Sequence, residues 1–190
     1  MWTLNGRVIR EGRSFIDDNG VKHPASWGTY EASYKASIGL VEVAVQAKPD
    51  ARFYWVTGPD TTGAYTSTPR ELEDRNEVDE NGDPLLDADG VQIVTKGLKS
   101  NWIAQTKETQ GSMLAQTDWV YIRKTDTGIA VPAEIQAYRD EVRLAAGIIE
   151  GQIAACADLD AFKALFVVPV DANGDPTGNA PIHNWPARQF

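Results

Sequence analysis

Apolar and polar side chains alternate with a period of two over residues 6–16 (GRVIREGRSFI) and 41–47 (VEVAVQA), and residues 50–58 (DARFYWVTG) add an aromatic and β-branched run. Because neighbouring side chains of a strand point to opposite faces, this pattern predicts short strands bounded by the Gly, Pro, Asp and Asn between them. Asp18-Asn19-Gly20 predicts a tight hairpin turn, since Asn-Gly accepts positive φ at little cost. The period then changes. Residues 98–114 place apolar side chains at 98, 102, 103, 113 and 114, a helix that Ser100 or Asn101 could cap and that Gly111 weakens.

The clearest helical pattern lies in 131–166. Pro132 sits where a first-turn proline belongs, and Ile135, Tyr138, Val142, Ala145, Ile149 and Ile153 recur at spacings of three and four. Gly147 and Gly151 each cost about 1 kcal/mol relative to alanine, which predicts a neighbour packed closely against them. A second short helix should follow in 158–166, capped by Asp158 or Asp160. Residues 167–190 predict a hairpin or an extended wrap.

These elements predict an α+β fold with the following organisation: a β-rich N-terminal domain with hairpins over 1–70, an acidic, turn-rich linker or hairpin over 71–97, a helical region over 98–168 with a long amphipathic helix packed on shorter ones, and an extended tail over 169–190. Residues 58–70 (GPDTTGAYTSTPR) read as the linker that ends the first domain.

Composition then narrows the function. With 42% apolar residues in 190 the chain can bury a core, and the sequence holds no stretch of 18 or more uncharged apolar residues. Its start lacks the basic and apolar regions of a signal peptide, which predicts folding in a cytoplasm. Net charge is −9 with no Lys/Arg-rich run, which argues against nucleic-acid binding. One cysteine, Cys156, and two histidines, His23 and His183, cannot supply the four ligands of a structural zinc site. Asp17-Asp18-Asn19-Gly20, Asp79-Glu80-Asn81-Gly82-Asp83, Asp87-Ala88-Asp89-Gly90 and Asp171-Ala172-Asn173-Gly174-Asp175 evoke calcium loops, but the EF-hand spacing is not met. Asx side chains fold back on their own backbone, so plain turns are expected, with no cofactor and no metal.

The remaining signal is Met113-Leu114-Ala115-Gln116-Thr117-Asp118-Trp119, followed by Tyr138-Arg139 with Val142-Arg143 and then Trp185-Pro186. This series resembles the Leu-Leu-x-x-Thr-Asp-Trp, Tyr-Arg-x-x-Leu-Arg and Trp-Pro signature of bacteriophage tail assembly chaperone and tail-fibre assembly proteins. Gly20-Val21-Lys22-His23-Pro24-Ala25-Ser26-Trp27 with Ile38-Gly39-Leu40 is similar to the front of phage tail-associated proteins. The resemblance implies a non-catalytic tail-associated structural or adaptor protein, assembled in the host cytoplasm and carried in the virion in symmetric copies. Its partners would be other tail, baseplate or fibre proteins, with neither nucleic acid nor membrane insertion involved. Trp119, Tyr138, Arg139, Arg143 and Trp185 are the candidate interface residues.

Two fates are open under this resemblance, a resident adaptor, which is favoured, and a fibre assembly chaperone that dissociates. A carbohydrate-binding module at the tail tip would instead need two or more tryptophans exposed on one face. A hydrolase would need two carboxylates converging beside Trp119 or Trp55, with Asp118 the first candidate. At the Thr117-Asp118-Trp119 corner a short helix ended by Gly128 is expected over a strand at 120–124. Trp119 should pack on the stripe headed by Ile135 and Tyr138, leaving Arg139 and Arg143 free for carboxylates.

Overall fold

The computed structural model describes residues 1–188; the last two positions of the expected tail, 189 and 190, lie outside the described residues. The chain divides into two compact units, Met1–Pro69 and Arg70–Phe190. The fold is α+β, with small antiparallel sheets in the first unit and helices in the second.

In the first unit, β1 (Trp2–Leu4) pairs with β2 (Arg7–Ile9), and β3 (Phe15–Ile16) pairs with β4 (Lys22–His23) across the Asp18-Asn19-Gly20 turn. A 3-10 turn (Ala25–Thr29) and α1 (Ala32–Ser37) lead to β5 (Leu40–Glu42), which adds to β1 to give the order β2-β1-β5. Leu4, Ile9, Phe15, Trp27 and Leu40 form the core, with Trp2, Tyr30 and Ile38 packed against it. Strand character in 41–47 stops at Glu42. Instead of being a linker, residues 58–70 supply the return arm of a hairpin: β6 (Tyr54–Thr57) pairs residue for residue with β7 (Thr66–Pro69). Threonine-rich segments suit a pleated surface, and Asp60 closes the turn between the arms.

That closure recurs five times. At Asp60 the carboxylate accepts the amides of Thr62 and Ala64, while the Asp60 carbonyl accepts the Gly63 amide. Asp17, Asp79, Asp87 and Asp171 repeat the same three bonds to the residues two, four and three positions on. The amides that bind these carboxylates favour their charged form. Accordingly Asp17 is held below the usual range first by the Val21 amide, Asp79 by the Asp83 amide, Asp171 by the Asp175 amide, and Asp60 by the Thr62 hydroxyl. Asp17 also meets the buried His23 ring nitrogen at 3.2 Å, beneath Phe15 stacked on that ring.

The second unit opens with β8 (Arg75–Asn76) paired to β9 (Val94–Thr95) around an acidic meander. Residues 77, 85 and 93 bond in a closed triangle: the Glu77 amide donates to Ile93, Leu85 to Glu77, and Ile93 to Leu85, at 2.8–2.9 Å. The Gln92 side-chain amide donates to all three of those carbonyls. Of the two expectations for this segment, linker or hairpin, the antiparallel pairing of β8 with β9 fits the hairpin.

It also caps α2 (Leu98–Ala115). The cap position is Gly97, not Ser100 or Asn101; the Glu71 and Leu72 carbonyls accept the Leu98 and Lys99 amides, and the Asp74 carboxylate accepts that of Gly97. A Cβ at Gly97 would lie 2.4 Å from the Leu72 carbonyl oxygen, so only glycine allows this approach. A helix start satisfied by a neighbouring segment needs no local capping side chain. Then come α3 (Asp118–Thr127), α4 (Ala133–Ala155) and α5 (Leu159–Ala164), the last capped by Asp158, whose side chain accepts the Ala161 amide. α2 packs along α4. The buried positions of α4 are Ile135, Tyr138, Arg139, Val142, Ala146, Ile149 and Ile153. Ala146, four residues after Val142, takes the place expected of Ala145. The tail makes a small hairpin bridge, Val170 to Pro176, and a 3-10 turn, Pro181–His183, that buries Ile182.

Acid should unfold this protein steeply. The lowered turn aspartates, together with Asp74, which Lys96 and the Gly97 amide bring down to about 2, contribute stability that is complete above the unfolded value of 3.8. It is lost as pH falls through the folded values. Circular dichroism against pH should show loss of structure below pH 3.8 that shifts upward in Asp74→Asn; an unshifted transition would remove Asp74 from the account.

Candidate interaction groove

The groove is built on a joint between three helices. α2 ends at Ala115, and Thr117 starts α3. The Thr117 hydroxyl turns back to donate to the Leu114 carbonyl at 2.9 Å, and makes no bond to its own helix. Arg139 of α4 enters from the side. Its Nη1 donates to the Leu114 carbonyl, the Thr117 hydroxyl and the Asp118 carboxylate, each at 2.7 Å, and its guanidinium lies 4.8 Å from the Tyr121 ring centre. A buried cation must replace its lost water with acceptors, and a helix C-terminus offers free carbonyls with a partial negative charge. Gly128, in left-handed conformation, ends α3.

With this joint fixed, α4 presents two faces. One is the buried stripe. The other carries Leu144 and Ile148, 65% and 51% exposed, one helical turn apart. Opposite them the tail lays Pro181, Asn184, Trp185 and Pro186, enclosing a groove of about 370 Å3 with a mostly hydrocarbon lining. Glu141 and Gln152 mark its two ends along the helix. Trp185 reaches across: it also borders a small crevice lined by Trp102 and Thr106 of α2, and the tail is held there by the Ile182 amide donating to the Leu165 carbonyl. Trp102, Phe166 and His183 continue the contact as edge-to-face rings.

The five candidate residues therefore separate. Trp185 lines the groove. Tyr138 and Arg139 are buried inside the joint, so Arg139 is not free for a partner's carboxylate. Arg143 lies on the outside and bonds Asp140 of its own helix at 2.8 Å. Four residues along a helix share a face only approximately, and here the core boundary runs between the two arginines. Trp119 does not pack on the Ile135 and Tyr138 stripe; it is 54% exposed with the Arg123 guanidinium 5.0 Å over its ring, and the fully buried residue is its neighbour Val120. Hydrophobicity alone favours the tryptophan, but the first turn of α3 aims position 120 inward.

Leu144 and Ile148 were missed because the longer stripe on the same helix dominates the periodicity. Their i, i+4 spacing was the available signal. Gly147 and Gly151 were expected beneath a close neighbour, yet a Cβ at either meets nothing within 4 Å. Of the six tryptophans, the exposed ones are Trp55 in the first unit and Trp119 in the second, one per unit. The Asp118 carboxylate is engaged by Arg139, and no group of three or more metal-ligating side chains occurs among the described residues. No helix among the described residues is long and apolar enough to cross a membrane.

Two expectations test the joint and the open face. Arg139→Met should cost about 2–3 kcal/mol, because three acceptors lose their donor, whereas Asp118→Asn should cost about 1 kcal/mol since water reaches that carboxylate. Denaturant midpoints measure both, and equal losses would contradict the burial argument. Gly147→Ala and Gly151→Ala should each stabilise by up to about 1 kcal/mol; destabilisation would mean that the face is covered.

No family model, no curated protein and no solved structure matches this chain.

Proposed function

We propose that this chain is a non-catalytic bacteriophage tail protein, an adaptor that docks on or helps assemble a tail, baseplate or tail-fibre component and remains in the virion in symmetric copies. The resemblance noted in the sequence is the starting point. What supports it most is that Leu114, Thr117 and Asp118 of the first motif are bonded to Arg139 of the second, while Trp185-Pro186 of the third forms a wall of the groove along α4, the helix that carries Arg139. A folding unit assembled from all three motifs, with a pair of exposed aliphatic side chains in its groove, suits recognition of an apolar segment of another tail protein. Buried aromatic anchors and excluded water, not reactive groups, carry binding energy in such grooves.

Mass spectrometry of purified virions, alongside the infected-cell lysate, tests the role. A stoichiometric signal in virions is expected; presence in the lysate alone would make the protein a chaperone that departs. For the surface, Leu144→Asp combined with Ile148→Asp should reduce co-purification of its tail partner at least about tenfold while leaving helicity intact. Undiminished capture would move the interface away from the groove.

A further inference from the structure

The net charge of −9 is not spread over the chain. Residues 1–69 hold seven basic and seven acidic residues, so the whole excess lies in 70–190, with eleven basic against twenty acidic. Within the neutral unit, four of the seven cations, Arg7, Arg10, Arg13 and Lys22, surround one cleft of about 510 Å3 that no acidic residue lines. Arg7 is anchored by donating to the Ile16 carbonyl, and Arg10, Arg13 and Lys22 make no side-chain hydrogen bond or ion pair among the described residues. Phe15 lies buried in its floor, and Ile16 is 54% exposed at its wall. Like charges gathered around an open cleft repel one another, and nothing in the packing of this unit gains from their proximity.

The complementary surface is in the same sequence. Residues 71–90 hold nine acidic residues and one arginine. Five of those acids have tasks in the fold: Glu73, Asp74 and Glu77 pair with Lys99, Lys96 and Arg75, and Asp79 and Asp87 close turns. Glu80, Asp83 and Asp89 stand exposed on the two turn tips with no bonding partner for their carboxylates among the described residues. Beside them Val78, Leu86 and Val91 are more than half exposed. The closed triangle of backbone bonds holds these tips in fixed positions before any encounter.

We propose that the cationic cleft of one copy binds the acidic turns at 79–83 and 87–91 of a second copy. Single exposed ion pairs are weak, so the argument rests on several opposed charges, each set next to exposed apolar surface that the contact would cover. Two different patches on one chain make a head-to-tail contact, which propagates from copy to copy and closes into a ring when the rotation allows. Its use in a virion rests on the tail reading above; the contact itself does not.

Sedimentation of the purified full chain from about 0.02 M to about 0.5 M salt tests it. Self-association at low salt that weakens at least tenfold in Kd across this range is expected. Arg10→Glu with Arg13→Glu should be monomeric throughout, and so should Glu80→Lys with Asp83→Lys and Asp89→Lys. Mixed in equal amounts, these two variants should associate again, because the acidic turns kept by the first meet the cationic cleft kept by the second. A single-chain mass under every condition, association unchanged by either set of substitutions, or a mixture that stays monomeric would each overturn the proposal. Circular dichroism of each variant checks that it is folded, and all substituted residues are exposed. A protein that associates in this manner yet is absent from virions would leave this contact standing and overturn the tail assignment alone.

Discussion

A buried guanidinium sets the geometry of the helical unit. Removing a cation from water costs several kcal/mol unless acceptors replace the solvent, and Arg139 finds three within 2.7 Å only if α2 ends, α3 begins and α4 passes at the same point. The Leu114 carbonyl, left free by the end of α2, is also bonded by the Thr117 hydroxyl. The corner therefore satisfies a helix terminus and a buried charge at once. Val120 can then fill the core, and Leu144, Ile148 and Trp185 fall on the rim of a groove.

A second device is repeated throughout the chain. An aspartate that accepts amides two and four residues on, with a glycine at the third position, closes five turns in both units of the chain. The carboxylate substitutes for a backbone acceptor, and at Asp17, Asp60, Asp79 and Asp171 the bonds it accepts favour its charged form. This accounts for part of the acidity that composition alone would assign to solvation. It also separates acids with a task, such as Asp79 and Asp87, from those such as Glu80, Asp83 and Asp89 that only project.

The functional reading draws on both. An adaptor needs surfaces that are rigid before binding and unlike one another, so that copies and partners are told apart. The groove beside Trp185 is apolar, the cleft around Arg10 is cationic, and the turn tips at 80–89 are acidic with apolar neighbours. Each is held by backbone bonds or by a buried residue.

The sequence by itself determined the element type where the periodicity was strong, though not at β7, which reads as a linker. Alternation placed β2 and β3, Asn19-Gly20 placed their neighbouring turn, and spacings of three and four placed α4 from Ala133 to Ala155. Asp158 as a cap and Gly128 as a terminator were legible because each acts through bonds to residues a few positions away. Only the tertiary structure decided which of two plausible neighbours turns inward. Ala146 and not Ala145, Val120 and not Trp119, and Arg139 but not Arg143 are buried, because a degree of helical rotation too small to see in a periodic pattern sets the core boundary. It decided likewise that Gly97 starts α2, since the carbonyls that cap it come from residues 71 and 72. Local bonds are written in local sequence; burial and distant caps depend on what another segment brings to the same place.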